Sequence, residues 1–275
     1  MISGEEERRR RHFEIERRLA QRLRTSTREE RTALFKDLYT QLFQELPDHP
    51  RLTRRDSEEA SRKNVAGQLR LLDSLLNPDS VFVEFAPGDC RLAYAVAERV
   101  SQVYGIDISD QSGDPSQGAA PKNFHLKVYD GYHLELPAGI ADTLFSYQFL
   151  EHLHPDDVDL HFQLANRVLK PGGCYVFSTP HRFSGPHDIS RYFSDEPLGF
   201  HLKEWTYREM FEILKANGFS EAYTFRFGKA RRQPAANEAT LAIEQMLRVL
   251  PRKLQKKLSA RLFEAVTMIA IKDRQ

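Results

Sequence analysis

The chain has 275 residues, 40% of them apolar and 29% charged, with a formal net charge of +1. That composition supports an ordinary core and lacks the global basic field that recruits nucleic acid, and two cysteines are too few for a disulfide framework or a cysteine metal site. No apolar run approaches the ~20 residues of a membrane span and the N-terminus lacks a secretory apolar stretch, so the expected location is the cytoplasm.

In chain order, residues 5–24 mix Arg with Glu around Phe13, Leu19 and Leu23, the pattern of a charged amphipathic helix. Its interleaved Glu favours a solvated face over contact with nucleic acid or acidic lipid. A second helix is predicted from Ser26, which caps while Glu29 reaches back. It carries a wide apolar stripe: Leu34, Phe35, Leu38, Tyr39, Leu42 and Phe43. A third helix is expected over roughly 57–76. Each shows one apolar face, so each must pack on something. Residues 1–77 are therefore read as an N-terminal helical extension. Closing over a site as a lid, forming a homodimer face and packing on a sheet flank are its open uses.

From Val81 the pattern alternates. Strands are expected at 81–85, 102–107, 124–128, 141–146, 173–178, 221–227 and 263–271, and helices at 91–100, 155–169, 206–217 and 236–258. The helix at 206–217 opens with the capping box "TYRE". Such alternation predicts an α/β, doubly wound, mainly parallel seven-stranded sheet with helices on both faces. The segment "QSGDPSQGAAPK" is too rich in Gly and Pro for a full crossover helix, so a short or missing helix is expected there.

In a doubly wound sheet, ligands sit at the carboxyl ends of the strands. After the first strand comes Glu84-x-Ala86-x-Gly88-x-Cys90. A dinucleotide fingerprint would set Arg91 where its third glycine belongs, a poor fit to nicotinamide binding. Small residues preceded by an acid suit a ligand whose amino-acid portion lies against the turn, its ammonium facing the acid. Asp107 ends the second strand, where a carboxylate accepts both hydroxyls of a ribose. Asp130 ends the third, positioned for an exocyclic amine such as that of adenine. Gln148 and Glu151-His152 follow the fourth. A ligand with an ammonium, a ribose and an adenine but no phosphate is S-adenosylmethionine.

The ordered set "VEFAPGDC", "YGIDIS", "VYDG", "SYQFLEHL" and "VLKPGGCYVFSTP" resembles a class I S-adenosylmethionine-dependent methyltransferase, within the group acting on small molecules. The resemblance covers about residues 78–275 and implies a Rossmann-like fold with an antiparallel last strand. Carried over, it implies that Glu84, Ala86, Pro87 and Gly88 line the methionine portion, Asp107 holds the ribose, and Ile108 lies against the adenine. It further implies that Asp130 and Gly131 meet the adenine edge and that Gln148 lies under the sulfonium. Ala86 and Cys90 depart from the family's glycines; the substitution at Ala86 is mild provided its φ stays negative.

Six of the ten histidines fall between residues 152 and 201, and a loop of about 25 residues follows the fifth strand. His152 is the best single candidate for a general base, with helix capping or packing as its other reading. Within the loop, His181, His187, Asp188, Arg191, Tyr192 and His201, with Tyr39 from the extension, are the candidate substrate-binding residues. Orienting a hydroxyl, holding an anion, binding a metal and tying the loop to itself are all open uses, and no metal is assigned. The expected activity is methyl transfer from S-adenosylmethionine to a small molecule, most readily at oxygen, with S-adenosylhomocysteine as product. The alternatives are an RNA-modifying enzyme and a non-catalytic cofactor-binding partner subunit. Nucleic acid is disfavoured as a partner, and a homodimer is left open.

Overall fold

The computed structural model describes residues 4–49, 58–110, 119–226, 229–230 and 232–274. Three helices come first: α1 (Gly4–Thr25), α2 (Arg28–Glu45) and α3 (Glu58–Leu72). The capping box of α2 lies one residue later than the sequence suggests. Thr27 Oγ1 accepts from Glu30 N at 3.3 Å, and Glu30 Oε2 accepts from Thr27 N at 2.8 Å. Ser26 instead donates to Leu23 O at 2.7 Å, closing the last turn of α1. Both pairings satisfy the same orphan amides, and the chain between the helices selects the second.

The sheet runs β3-β2-β1-β4-β5-β8-β6-β7. Its strands are β1 (Val81–Phe85), β2 (Gln102–Asp107), β3 (Phe124–Val128), β4 (Ala141–Tyr147), β5 (Leu169–Pro180), β6 (Glu221–Arg226), β7 (Lys229–Ala230) and β8 (Ala265–Ile271). The first five are parallel, and β8 enters antiparallel between β5 and β6. The expected seven-stranded, Rossmann-like sheet with an antiparallel last strand is therefore present, widened by the two-residue β7 on the edge of β6. Strand order reverses between β1 and β4, which opens a crevice at their carboxyl ends.

Helices α4 (Arg91–Ala97), α5 (Val158–Val168) and α6 (Tyr207–Ala216) cover the two faces, and Thr206 and Glu209 form the expected capping box. The single helix expected at 236–258 is two, α7 (Pro234–Arg248) and α8 (Arg252–Leu262). Pro251 separates them, because it offers no N–H and its ring blocks the preceding turn. The expected gap in the crossover after β2 falls on residues 111–118, outside the described residues.

The core has two layers, one on each side of the sheet. Val83, Phe85, Leu144, Phe162, Tyr175 and Phe177 anchor one, and Phe82, Val96, Val103, Phe145 and Val176 anchor the other. A third cluster joins the extension to the body: Leu19, Ala20 and Leu23 of α1 and Leu38 and Leu42 of α2 pack with Phe200 and Leu202 of the long loop. The apolar faces of α1 and α2 thus meet the long loop and the strand ends, whereas α3 packs Val65, Leu69 and Leu72 against one face of the sheet.

Candidate active site

A cavity of about 880 Å³ lies at the carboxyl ends of β1, β2, β3 and β4. Ala86, Gly88, Asp107, Ile108, Gly131, Gln148 and His152 line it, so seven of the expected residues from four separate strand ends converge. Leu23 of α1 and Phe35, Leu38, Thr40 and Phe43 of α2 form the facing wall. The side chain of Tyr39 lies outside the described residues.

The turn after β1 carries left-handed backbone at Ala86 (φ 53°), Gly88 (54°) and Cys90 (62°), and Gln148 after β4 repeats it (52°). The condition that made alanine mild at position 86 therefore fails. A side chain in this region costs on the order of 1–2 kcal/mol. Strain held at a ligand-facing turn is consistent with a site whose geometry takes precedence over local stability. A Cβ added at Gly88 would meet nothing within 4 Å, so this turn borders open space.

Below the turn, Glu84 is 5% exposed, and its Oε2 has no hydrogen-bond partner. Burial first, then the neighbouring Asp89 and Asp107, push its carboxyl up to about 8, against the backbone N–H of Ala93. An ammonium group is the natural complement of such an acid. Pro87 points away from the cavity and packs toward Gly105 of β2. Asp107, nearly buried, accepts from Ser109 N at 3.2 Å and presents its carboxylate at the cavity edge. The donor set therefore fits the methionine and ribose portions of S-adenosylmethionine.

Asp130 is used differently from the expectation. Its Oδ1 accepts from Tyr132 N and His133 N at 2.8 and 2.6 Å, and its Oδ2 meets His133 Nδ1 at 2.6 Å. These bonds outweigh burial and lower its carboxyl to about 2. The carboxylate closes its own turn, and Gly131 and Tyr132 line the cavity in its place.

His152 pairs through Nδ1 with Phe200 O at 3.0 Å, which makes Nδ1 the protonated nitrogen and Nε2 the basic one. Beside it, Glu151 is fully buried, held by Thr179 Oγ1 at 2.9 Å, and its Oε1 has no partner. Burial pushes the Glu151 carboxyl up to about 7, against the opposing pull of His201. His161 underlies the cavity, bonded to Tyr175 OH at 2.8 Å, and burial drives it down to about 3, so it is neutral.

The long loop is largely self-tied. His181 is buried and pairs with Glu244 of α7 at 2.8 Å, away from the cavity. Asp188 accepts from Ser190 N and Gly199 N at 2.9 and 3.0 Å. Glu204 Oε1 accepts from His187 N at 2.6 Å and meets His201 Nδ1 at 2.9 Å. Arg191 donates to Tyr192 OH at 2.7 Å on the exposed side, and neither lines the cavity. None of these six positions expected at the substrate lines this cavity: His181 is held by α7, and the other five pair within the loop. His187 borders a second cavity, of about 850 Å³, that meets the first at Gln148.

Three residues without a local motif complete the site. Arg31 of α2, 3% exposed, binds Asp157 through Nε and Nη2 at 2.8 and 3.0 Å, and Tyr132 OH donates to the same carboxylate at 2.8 Å. Burial would raise Asp157, but these bonds outweigh it and hold it below the usual carboxylate range. Arg24, at the end of α1, donates to the carbonyls of Pro197, Leu198, Gly199 and His201 at 2.9–3.1 Å. Partners 126 and more positions away in sequence leave no spacing for a reader to notice.

The family described as "Methyltransferase domain" matches residues 83–177. A relative from Mycolicibacterium smegmatis, described as a probable S-adenosylmethionine-dependent methyltransferase, is 29% identical over 141 residues, 50% of this chain. The chain covers 51% of that relative, about half its length. Among solved structures, the YcgJ protein of Bacillus subtilis superposes with a TM-score of 0.51 at 15% identity, over 76% of this chain and 99% of that one. A Haloferax volcanii methyltransferase in complex with the Trm112 activator gives 0.56 at 14% identity, over 82% and 97%. Phosphoethanolamine N-methyltransferase 2 of Haemonchus contortus, bound to S-adenosylmethionine, gives 0.52 at 18%, over 76% and 53%. At these identities the structures share the fold alone. Taken with the family match, they show a methyltransferase domain over residues 83–177, set in the fold that the S-adenosylmethionine-dependent methyltransferases share.

Proposed function

We propose that the protein transfers the methyl group of S-adenosylmethionine to a hydroxyl of a small molecule. The observation that carries this reading is the walled cavity lined by Ala86, Gly88, Asp107, Gln148 and His152, with buried Glu84 below its turn. Its volume of about 880 Å³ is near the upper part of the ~300–1,000 Å³ typical of ligand pockets, which leaves room for an acceptor beside the cofactor. The apolar wall from α1 and α2 excludes water and favours a small organic acceptor over a nucleic-acid strand.

Glu84 and Asp107 hold the ammonium and ribose, and Ile108 packs against the base. Bound there, S-adenosylmethionine supplies an electrophilic methyl on a sulfonium. Neutral His161 keeps a second positive charge from the floor of the cavity. Catalysis is then largely alignment of the acceptor oxygen with the S–CH₃ bond. The C–O bond forms as the C–S bond breaks, the bonding pair stays on sulfur, and His152 Nε2 receives the hydroxyl proton.

The test is calorimetric titration with S-adenosylhomocysteine, followed by a turnover screen against phenols, hydroxy acids and amines read by mass spectrometry. Asp107→Ala is expected to weaken binding by about 2 kcal/mol, roughly 30-fold. His152→Gln is expected to preserve that affinity and lower turnover about 10²-fold or more. Binding with no methylated product would favour the non-catalytic subunit, and turnover on amines alone would remove the oxygen assignment.

A further inference from the structure

Glu151, His152 and His201 cluster behind the cavity wall, where only His152 is a lining residue. Their donor atoms, one carboxylate oxygen and one nitrogen from each ring, lie within 4.8 Å of one another. Each residue is also oriented from behind. His152 Nδ1 is engaged by Phe200 O at 3.0 Å, and His201 Nδ1 by Glu204 Oε1 at 2.9 Å. Glu204 is itself fixed by His187 N at 2.6 Å, and Thr179 Oγ1 holds Glu151 Oε2 at 2.9 Å. With both Nδ1 atoms as donors, Nε2 is the basic nitrogen of each ring. Glu151 Oε1 is buried with no hydrogen-bond partner. Outer carbonyls and carboxylates that fix ring tautomers in this way are the usual supporting shell of a metal site.

We propose that Glu151 Oε1, His152 Nε2 and His201 Nε2 bind a divalent transition-metal ion behind the cavity wall, bordering the cavity at His152. Two imidazoles and one carboxylate form the three-ligand set used by zinc, manganese and ferrous iron, and disfavour magnesium and calcium, which take oxygen. Side-chain rotations of roughly an ångström bring the donors to the ~3.3 Å separation that bonds of ~2.0–2.1 Å impose.

The contrast with the other such cluster among the described residues sharpens the assignment. His12 and His49 direct Nε2 onto Glu16 Oε1 at 2.7 and 3.4 Å, so that carboxylate already serves both rings. In the Glu151 cluster no such closure uses up the carboxylate oxygen.

The use of the ion rests on the methyl-transfer reading, although its binding does not. Of the three ligands only His152 lines the cavity, and a hydroxyl acceptor that reached the ion on that side would ionise more readily, as metal-bound water does. With an ion bound, His152 Nε2 is taken as a ligand in place of the proton that the metal-free reaction delivers there, and the acceptor proton passes to solvent instead.

The test uses the full chain stripped by chelator, titrated calorimetrically with Zn²⁺ and Mn²⁺ and, as a control, Mg²⁺. One tightly bound Zn²⁺ or Mn²⁺ per chain is expected, weakened at least 100-fold by Glu151→Gln and by His201→Gln. Thermal melting and S-adenosylhomocysteine titration report whether each variant is folded. Absence of stoichiometric binding by the folded wild type overturns the proposal. So does binding that survives Glu151→Gln and disappears in His49→Gln, which locates the ion at Glu16. Failure of S-adenosylhomocysteine to bind counts separately, against the cofactor reading.

Discussion

Glu84 shows how one buried side chain can couple cofactor binding to pH. Its carboxyl, raised to about 8 by burial, is protonated in the free protein at neutral pH, whereas in the unfolded chain it ionises near 4.5. Because the folded value is the higher one, Glu84 costs stability as pH rises from about 4.5 to 8, and native stability falls over that interval. An ammonium placed against it favours the charged form. Binding S-adenosylhomocysteine near pH 7 should therefore release close to one proton, read as a dependence of calorimetric heat on buffer ionisation enthalpy. Glu84→Gln is expected to abolish that dependence; equal release by wild type and variant would locate the proton elsewhere. Ala86 makes the opposite kind of point. Glycine occupies φ near 53° without strain, so Ala86→Gly is expected to stabilise the free protein by about 1 kcal/mol in urea unfolding. A loss of stability would mean the turn gains more from the alanine methyl than its backbone loses.

At the scale of elements, α1 and α2 are secured to the body by side chains more than by length. Their apolar faces meet Phe200 and Leu202, while Arg31 and Arg24 tie them to Asp157 and to the loop carbonyls. We regard this pair as a lid, a reading supported by the five residues it contributes to the cavity wall. Removing Arg31 leaves buried Asp157 with only the exposed Arg28 and the Tyr132 hydroxyl, so Arg31→Ala should cost about 1–3 kcal/mol. Its hydrogen-exchange protection should fall first in α2, with the sheet little affected. Uniform loss across the molecule would show that the extension is an integral part of one cooperative unit and not a lid. The element boundaries show a related contrast. Strands β1 to β3 lie where alternation put them, because apolar runs between turn residues have one register. The capping box of α2 and the break at Pro251 were displaced from expectation because adjacent residues offered equivalent bonds in one case, and a single proline was read through in the other.

At the scale of the whole molecule, cofactor and fold share one crevice, so a ligand bridging β1, β2 and β4 should stabilise everything attached to them. At a concentration 100 times its dissociation constant, S-adenosylhomocysteine contributes about 2.7 kcal/mol. For a chain of this size that is expected to raise the melting temperature by roughly 5 °C or more. An unchanged melting temperature in a preparation that binds by calorimetry would place the ligand on a locally unfolding segment.

Apart from Ile108 and Gly131, which the family resemblance supplied, the sequence by itself determined the alternating strands and helices, the doubly wound class, and the strand-end positions Ala86, Gly88, Asp107, Gln148 and His152. Those follow from local rules: period, turn chemistry, and the requirement that a parallel sheet present its strand ends together. What only the tertiary structure decided was how the remaining polar groups are used. Asp130 closes its own turn, His181 pairs with Glu244, and Asp188 holds Gly199, although each had the chemistry of a ligand residue. Arg24, Arg31 and Asp157 had no motif at all, yet they hold the lid. A carboxylate or imidazole can satisfy its hydrogen bonds with any complementary group within reach, and reach is set by packing between segments more than a hundred residues apart.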